Sequence, residues 1–224
     1  MRRLLPSPEE DVEVEPAYAV PDATPWLRAS MVTTLDGSVA GPDGRSGSIS
    51  GPADKAVFAA LRAGSDAVLV GAGTASAEGY GPSARPIVVV SNRIGIDLAR
   101  PLFTEARHRT VLLTARSAPA GRLEAAREVA EVVLAGEERV DLTAGLAALR
   151  ARGMTRIVCE GGPSLLAGLL ADGLVDELCT TTSPLVVGGD GSRMVRGPWL
   201  PTQPWRLAQL LTDDGFLFAR WQRP

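Results

Sequence analysis

Short, unbroken runs of β-branched and other apolar residues recur along this chain, separated by helical patterns rich in alanine and leucine. The clearest runs lie at 67–70, 87–90 and 111–113, and further runs lie at 27–33, 129–134, 156–160 and 178–182. An apolar run without alternation is typical of a strand that is covered on both faces, and strands separated by helices form parallel sheets. The predicted fold is therefore α/β, with a mixed, mainly parallel sheet and helices on both faces.

Turn and capping residues predict where the remaining elements lie. Helices are predicted at 52–63, 142–150 and 163–171, since proline at the first helical position and glycine after the last are typical helix boundaries. The tail predicts a hairpin, with strands at 207–211 and 216–221 that add antiparallel edge strands. Residues 1–25 are rich in proline and acidic residues and are predicted to be an N-terminal arm outside the core. Residues 26–224 are predicted to form a single domain.

Composition and charge exclude several kinds of function. The 23 basic and 26 acidic residues give a net charge of −3, so nucleic-acid binding through a broad basic surface is not expected. No apolar segment approaches the ~20 residues that span a bilayer, and no apolar signal region follows the first residues. We therefore expect a cytoplasmic protein without a membrane partner.

Cysteine and histidine are too few for several chemistries. Cys159 and Cys179 lie far apart in apolar sequence, so they are expected to be reduced, buried thiols, and no metal site is predicted. The single histidine, His108, lies in an arginine-rich patch and is expected to be exposed. No serine-nucleophile motif accompanies it, which argues against a hydrolase triad.

Three loops that follow predicted strands have unusual sequences, and ligands of open α/β sheets bind at such places. They are the loop around Asp36, which continues into the glycine-rich segment 41–48, the loop 71–74, and the loop 160–164. Free amides at the helix start after the third loop favour an anion, such as a dinucleotide pyrophosphate. Each loop alone is equally compatible with a tight turn that binds nothing. Two such loops on one sheet, with a carboxylate between them, favour a phosphorylated ligand.

Several motifs in order and spacing make the chain recognisable. They are Thr34-Leu35-Asp36-Gly37-Ser38-Val39-Ala40, the stretch 61–71, Gly73-Thr74, Glu160-Gly161-Gly162-Pro163-Ser164-Leu165, and the stretches 174–178 and 184–189. Over roughly residues 26–222 the chain resembles the pyrimidine reductase family of riboflavin biosynthesis. The resemblance implies a dihydrofolate-reductase-like fold and a homodimer. It also implies NADPH-dependent reduction of a phosphorylated pyrimidine of the 5-amino-6-(5-phosphoribosylamino)uracil type.

The resemblance also implies site residues. The substrate residues are Ser46, Arg62, Glu160 and, more loosely, Arg85. The cofactor residues are Thr33, Ser48, Gly71, Thr74, Glu78, Ser91, Arg93, Gly161, Gly162, Pro163, Ser164, Leu165 and Leu166. An arginine suits a ribose phosphate, and a carboxylate suits the N–H groups of a pyrimidine.

Two residues are predicted to be catalytic. Asp36 is the nearest candidate for a general acid, although a role in a simple Asp-Gly turn remains open. Glu160 is assigned to substrate orientation. Arg62 equally fits a solvated cation at a helix end.

Departures from the family pattern leave alternatives open. Ser30 stands where the bifunctional deaminase/reductases have lysine, and 78–85 replaces an aspartate-rich segment. A dihydrofolate or other pterin-like reductase, and a non-catalytic dinucleotide-binding protein, therefore remain alternative functions.

Overall fold

The apolar runs form the centre of one ten-stranded sheet in the computed structural model, which describes residues 1–20 and 25–224. The strands are β1 Arg2–Leu5, β2 Trp26–Thr33, β3 Ala67–Gly71, β4 Ile87–Val90, β5 Val111–Thr114, β6 Glu131–Leu134, β7 Arg156–Cys159, β8 Glu177–Thr182, β9 Arg206–Asp213 and β10 Phe216–Gln222. The helices are α1 Val14–Ala17, α2 Pro52–Ala63, α3 Ala72–Ala77, α4 Pro101–Thr104, α5 Ala120–Val129, α6 Leu142–Arg150 and α7 Pro163–Ala171, with a 3₁₀ helix at Ser46–Ser48.

The sheet has the order β1-β9-β10-β8-β2-β7-β3-β4-β5-β6. From β8 to β6 all neighbouring strands are parallel, whereas β10, β9 and β1 are antiparallel to their neighbours. The predicted mixed, mainly parallel sheet with a C-terminal antiparallel hairpin is confirmed. The hairpin is not the edge of the sheet, however, because β1 pairs with the outer side of β9.

Both faces of the parallel strands are buried, as their unbroken apolar sequences predict. Along β3, Val68 and Val70 belong to one core cluster and Ala67 and Leu69 to the other. Helices α2 to α5 cover the first face, and α6 and α7 cover the second. This arrangement leaves the carboxyl ends of the parallel strands open for the loops that follow them.

The expectation that residues 1–25 lie outside the core is wrong for the part of that segment that the structure describes. Val12 and Tyr18 are buried in the first core cluster. The Arg28 guanidinium donates to the Tyr18 carbonyl oxygen at 2.8 Å, and the Arg220 guanidinium donates to the Ala17 carbonyl oxygen. Residues 21–24, which complete the predicted arm, lie outside the described residues.

A buried ion cluster holds the two arginines that anchor this segment. Glu177 is fully buried and pairs with Arg28 at 3.0 Å and with Arg220 at 2.7 Å. Removal of one partner from such a buried cluster leaves an uncompensated charge, which is strongly destabilising. The cluster lies at the amino end of β8, away from the loops described below.

Candidate active site

A cavity of about 640 Å³ opens at the carboxyl ends of β2, β3 and β7. Its walls are residues of β2, the segment 39–50, one face of α2, the segment 73–82 and the start of α7. The cavity therefore brings together all three loops that the sequence singled out, although individual residues of those loops differ in whether they face it.

Glu160 is the centre of a polar cluster in this cavity. Its carboxylate accepts hydrogen bonds from Arg62 Nε at 2.6 Å and from Arg62 Nη2 at 2.7 Å. The Tyr80 hydroxyl donates to Glu160 Oε2. A carboxylate has roughly four acceptor positions, so the three bonds leave about one for a ligand.

The cluster is held together by packing as well as charge. The Arg62 guanidinium carbon lies 4.5 Å from the centre of the Phe58 ring and 5.5 Å from the centre of the Tyr80 ring, distances at which cation and aromatic ring attract each other. Burial, followed by the Glu160 charge, raises the pKa of Tyr80 well above its usual value. Burial alone lowers the pKa of Arg62, but its bond to Glu160 leaves that pKa raised overall. Tyr80 is therefore a neutral donor and Arg62 a permanent cation.

The bidentate pair changes the role expected for Arg62. The sequence suggested that this arginine holds a ribose phosphate, but its guanidinium is already bonded to Glu160 through two nitrogen atoms. In this geometry Arg62 fixes the orientation of the Glu160 carboxylate. The pair uses two of the five N–H groups of the guanidinium, so three remain for a ligand.

The loops after β3 and β7 contact each other directly. The Gly71 amide donates to the Gly161 carbonyl oxygen at 2.8 Å, so this amide is not available to a ligand. The Gly161–Gly162 peptide bond is cis. A Cβ on Gly162 would lie closer than 3.0 Å to Thr74 Oγ1, so any side chain at this position forces one of the two loops to shift.

The start of α7 fits the pyrophosphate of a dinucleotide. Gly162 is the N-cap of the helix, and its carbonyl oxygen accepts a hydrogen bond from the Leu166 amide at 3.0 Å. The amides of Ser164 and Leu165 precede this first bond, so they have no partner within the helix. Gly162, Pro163, Ser164 and Thr74 all line the cavity. Leu166 does not fit the predicted contact, because its side chain is fully buried and its amide is already bonded. The Leu165 side chain packs against the second core cluster, so only its amide can meet a ligand.

Glu78 ties the glycine-rich segment to the rest of the site. Its carboxylate accepts the Ser46 amide at 2.7 Å, and both residues line the cavity. Ser48 is exposed, and its hydroxyl donates to Asp43 Oδ1 at 2.7 Å. It does not line the cavity.

Asp36 lies outside the cavity, and its geometry does not support the prediction of a general acid. The Thr34 hydroxyl donates to it at 2.5 Å and the Gly188 amide at 2.7 Å. The bond from Thr34 contributes most, and together these bonds hold the pKa of Asp36 below its usual value. The carboxyl is therefore ionised at neutral pH. The geometry favours the turn-forming role and joins the loop after β2 to the loop at 187–188.

Gly71, Gly161 and four further predicted site residues do not line the cavity. The Arg85 guanidinium donates to the Ala63 carbonyl oxygen at the end of α2, so its predicted contact with the substrate is not supported. Thr33 ends β2, and its carbonyl oxygen accepts the Ser183 amide. Ser91 and the exposed Arg93 follow β4 at the same edge of the sheet, outside the cavity.

Sequence reasoning missed many of the cavity residues, and among these are Lys55, Phe58, Tyr80 and Arg196. The helical spacing of Lys55, Phe58 and Arg62 could have placed the first two beside Arg62. Nothing in the sequence pattern connects Tyr80 with Glu160.

The two cysteines and the histidine have the environments that the sequence predicts. Cys159 and Cys179 are buried and free, and burial raises the pKa of each to about 12. His108 is exposed. Among the described residues there is no cluster of potential metal ligands, and none of the helices is long and apolar enough to cross a bilayer.

Comparisons with known proteins agree with this geometry. The model of the RibD C-terminal domain matches residues 25–215. A 2,5-diamino-6-ribosylamino-4(3H)-pyrimidinone 5′-phosphate reductase of Archaeoglobus fulgidus is 34% identical over 189 residues, which cover 76% of this chain and 85% of that protein.

Solved structures show the same fold. A pyrimidine reductase-like protein of Corynebacterium diphtheriae superposes with a TM-score of 0.80 at 26% identity, covering 88% of this chain and 91% of that one. Dihydrofolate reductase of Enterococcus faecalis superposes with a TM-score of 0.51 at 14% identity, covering 88% and 96%. The second likeness is one of fold alone and confirms the dihydrofolate-reductase-like architecture.

Proposed function

This chain belongs to the RibD C-terminal domain family, and we propose that it is an NADPH-dependent reductase that converts a phosphoribosylamino-pyrimidine to its ribitylamino form in riboflavin biosynthesis. The observation that carries the proposal is the single cavity that joins the Glu160 cluster to the start of α7. A pyrimidine and a dinucleotide can therefore lie side by side in one cavity. The family and its fold generally use a nicotinamide dinucleotide.

The substrate that we propose first is the 2,5-diamino-pyrimidinone phosphate rather than the uracil form. The reductase of Archaeoglobus fulgidus, which is 34% identical to this chain, is named for that compound. Glu160 supports either pyrimidine, since its remaining acceptor position can take one N–H group.

The residues of the chain position the reactants rather than perform covalent chemistry. When bound, the coenzyme supplies a hydride to the first carbon of the sugar. Glu160 orients the pyrimidine, while Arg62 and Tyr80 hold the carboxylate in place. The amides at the start of α7 and the Thr74 side chain support binding of the pyrophosphate. Holding two reactants in the right geometry supplies a large part of such a rate enhancement.

Three further parts of the proposal concern the whole protein. Ser91 and Arg93, which follow β4, are the residues that select NADPH over NADH. The protein is a cytoplasmic homodimer, and the exposed Leu185, Val186 and Trp199 offer apolar surface for a second subunit. Light scattering of the purified protein tests the homodimer.

The proposed function is tested by following NADPH oxidation with three substrates in parallel. We expect turnover with the diamino-pyrimidinone phosphate, slower or no turnover with the uracil form, and none with dihydrofolate. The Glu160→Ala variant should lose activity while its NADPH affinity, measured by calorimetry, is largely kept. Turnover of dihydrofolate alone, or no uptake of NADPH by the wild-type protein, would contradict the proposal.

A further inference from the structure

Three cationic side chains line the cavity: Lys55, Arg62 and Arg196. Arg62 is bonded to Glu160. Arg196 lies against the start of α7, where its backbone amide donates to the Pro163 carbonyl oxygen at 3.2 Å. Arg196 is therefore a residue of the wall that we assign to the coenzyme.

Lys55 differs from both arginines. Of the 23 lysine and arginine residues in the chain, it is the single lysine. Within the ranges 1–20 and 25–224, the structure shows no carboxylate within 4.0 Å of its ammonium group. The neighbouring Asp54 carboxylate accepts the Ser50 hydroxyl at 2.6 Å. Lys55 is thus an uncommitted positive charge that faces the cavity.

The placement of Lys55 along α2 matches the dimensions of the proposed substrate. Lys55, Phe58 and Arg62 are spaced i, i+3 and i+7, so they form one face of the helix along the cavity wall. At a rise of 1.5 Å per residue, Lys55 and Arg62 are separated by about 10 Å along the helix axis. A pentose 5-phosphate attached to a pyrimidine at Glu160 would extend along this face, from Arg62 past the Phe58 ring toward Lys55.

The wall formed by the segment 73–82 carries a carboxylate of its own, that of Glu78. The Glu78 carboxylate accepts a hydrogen bond from the Ser46 amide. A phosphate placed beside Glu78 would therefore meet a negative charge. On the substrate side of the cavity, Lys55 is the cation that forms no ion pair within the described residues, whereas Arg62 is paired with Glu160.

We propose that Lys55 forms the subsite for the phosphate group of the substrate, so that it determines preference for the phosphorylated over the dephosphorylated pyrimidine nucleoside. This inference rests on the proposed function. A compact ammonium group suits a phosphate as a point charge, and a charge-assisted bond is roughly twice as strong as a neutral one.

The kinetic test compares Lys55→Ala with wild type on the phosphorylated substrate and on its dephosphorylated counterpart. For the phosphorylated substrate we expect KM to rise roughly 10- to 100-fold with little change in kcat. For the dephosphorylated one, KM should not change. Lys55→Arg should recover part of the loss, and the control Arg196→Ala should leave the ratio of the two KM values unchanged. Equal effects on both substrates, or no effect on either, would overturn the assignment.

A chemical test needs no turnover, so it separates failure of this subsite from failure of the proposed function. Pyridoxal 5′-phosphate carries an aldehyde that condenses with an amine with loss of water, and borohydride then reduces the imine. Because the chain has one lysine, peptide mapping distinguishes Lys55 from the α-amine. We expect faster labelling by pyridoxal 5′-phosphate than by pyridoxal, and protection by inorganic phosphate. Equal labelling rates without protection refute the phosphate subsite even if the pyrimidine is reduced, whereas selective labelling without pyrimidine turnover supports an anion site and refutes the proposed function.

Discussion

Gly162→Ala perturbs the contact between the loops after β3 and β7 by one methyl group. Gly162 has φ −75° and ψ −169°, a conformation that alanine adopts without strain, so the whole effect comes from the side chain. The new Cβ would lie closer than 3.0 Å to Thr74 Oγ1, whereas ordinary contact begins at 3.4 Å. The two atoms must therefore separate by about 1.1 Å before they reach ordinary contact. Threonine is stiff about its first side-chain torsion, so part of that movement falls on the backbone.

Overpacking of this kind costs roughly 1–3 kcal/mol, which for a chain of this length lowers Tm by roughly 2–12 °C. Displacement of either loop by the same energy weakens NADPH binding by roughly 5- to 150-fold. Thermal unfolding and calorimetric titration with NADPH measure the two effects. The control Gly73→Ala, where a Cβ meets nothing within 4 Å, should keep its Tm. Gly162→Ala with wild-type Tm and NADPH affinity would refute the reasoning that these loops bind the coenzyme.

Four further predictions concern single side chains. Tyr80→Phe removes one donor to Glu160 and should raise the pyrimidine KM by about 2- to 10-fold with NADPH affinity unchanged, which steady-state kinetics and titration measure. Glu177→Gln leaves two buried arginines without their carboxylate and should lower the free energy of unfolding in urea by roughly 3–5 kcal/mol. Although desolvation raises the pKa of Asp66, its bonds from Arg156 and Thr155 lower it to about 2. Its contribution to stability is therefore present above pH ~4 and lost as the pH falls to 2, so Asp66→Asn should flatten the acid limb of unfolding measured between these values. Arg93→Ala should raise the KM for NADPH but not for NADH, and an equal change for both coenzymes would contradict its role as a selector.

The elements with strong local signals were predicted well. Helix α2 runs from Pro52 to Ala63 as its proline and the following glycine indicated, and the parallel strands lie where the apolar runs are. Strand β1 gave no such signal. Its four residues RRLL contain two arginines, and they are extended because β9 pairs with them across the whole sequence. Strand formation of this kind depends on tertiary contacts, which short sequence patterns do not contain.

The site was predictable only to the level of its loops. The carboxyl ends of adjacent parallel strands must lie together, so 71–74 and 160–164 were correctly expected to be neighbours, while their role in binding stays a prediction. Asp36 shows the limit, because an Asp-Gly turn has the same sequence whether it faces a ligand or the amides of 187–188. Tyr80 bonds to a residue 80 positions away, and a single tyrosine in a glycine-rich loop gives no indication of such a partner.

The order in which strands leave the ribosome differs from their order in the sheet. Strands β3 to β6 are neighbours both in sequence and in space, so each can pair as soon as it emerges. Strand β2 must wait for β7 and β8, and Arg2 of β1 waits for Thr212 of β9. Late pairing of this kind leaves strand edges exposed during synthesis, which favours aggregation. We therefore expect nascent chains arrested before β7 to depend on chaperones and to be cut readily by proteases, while chains that extend past β10 become resistant.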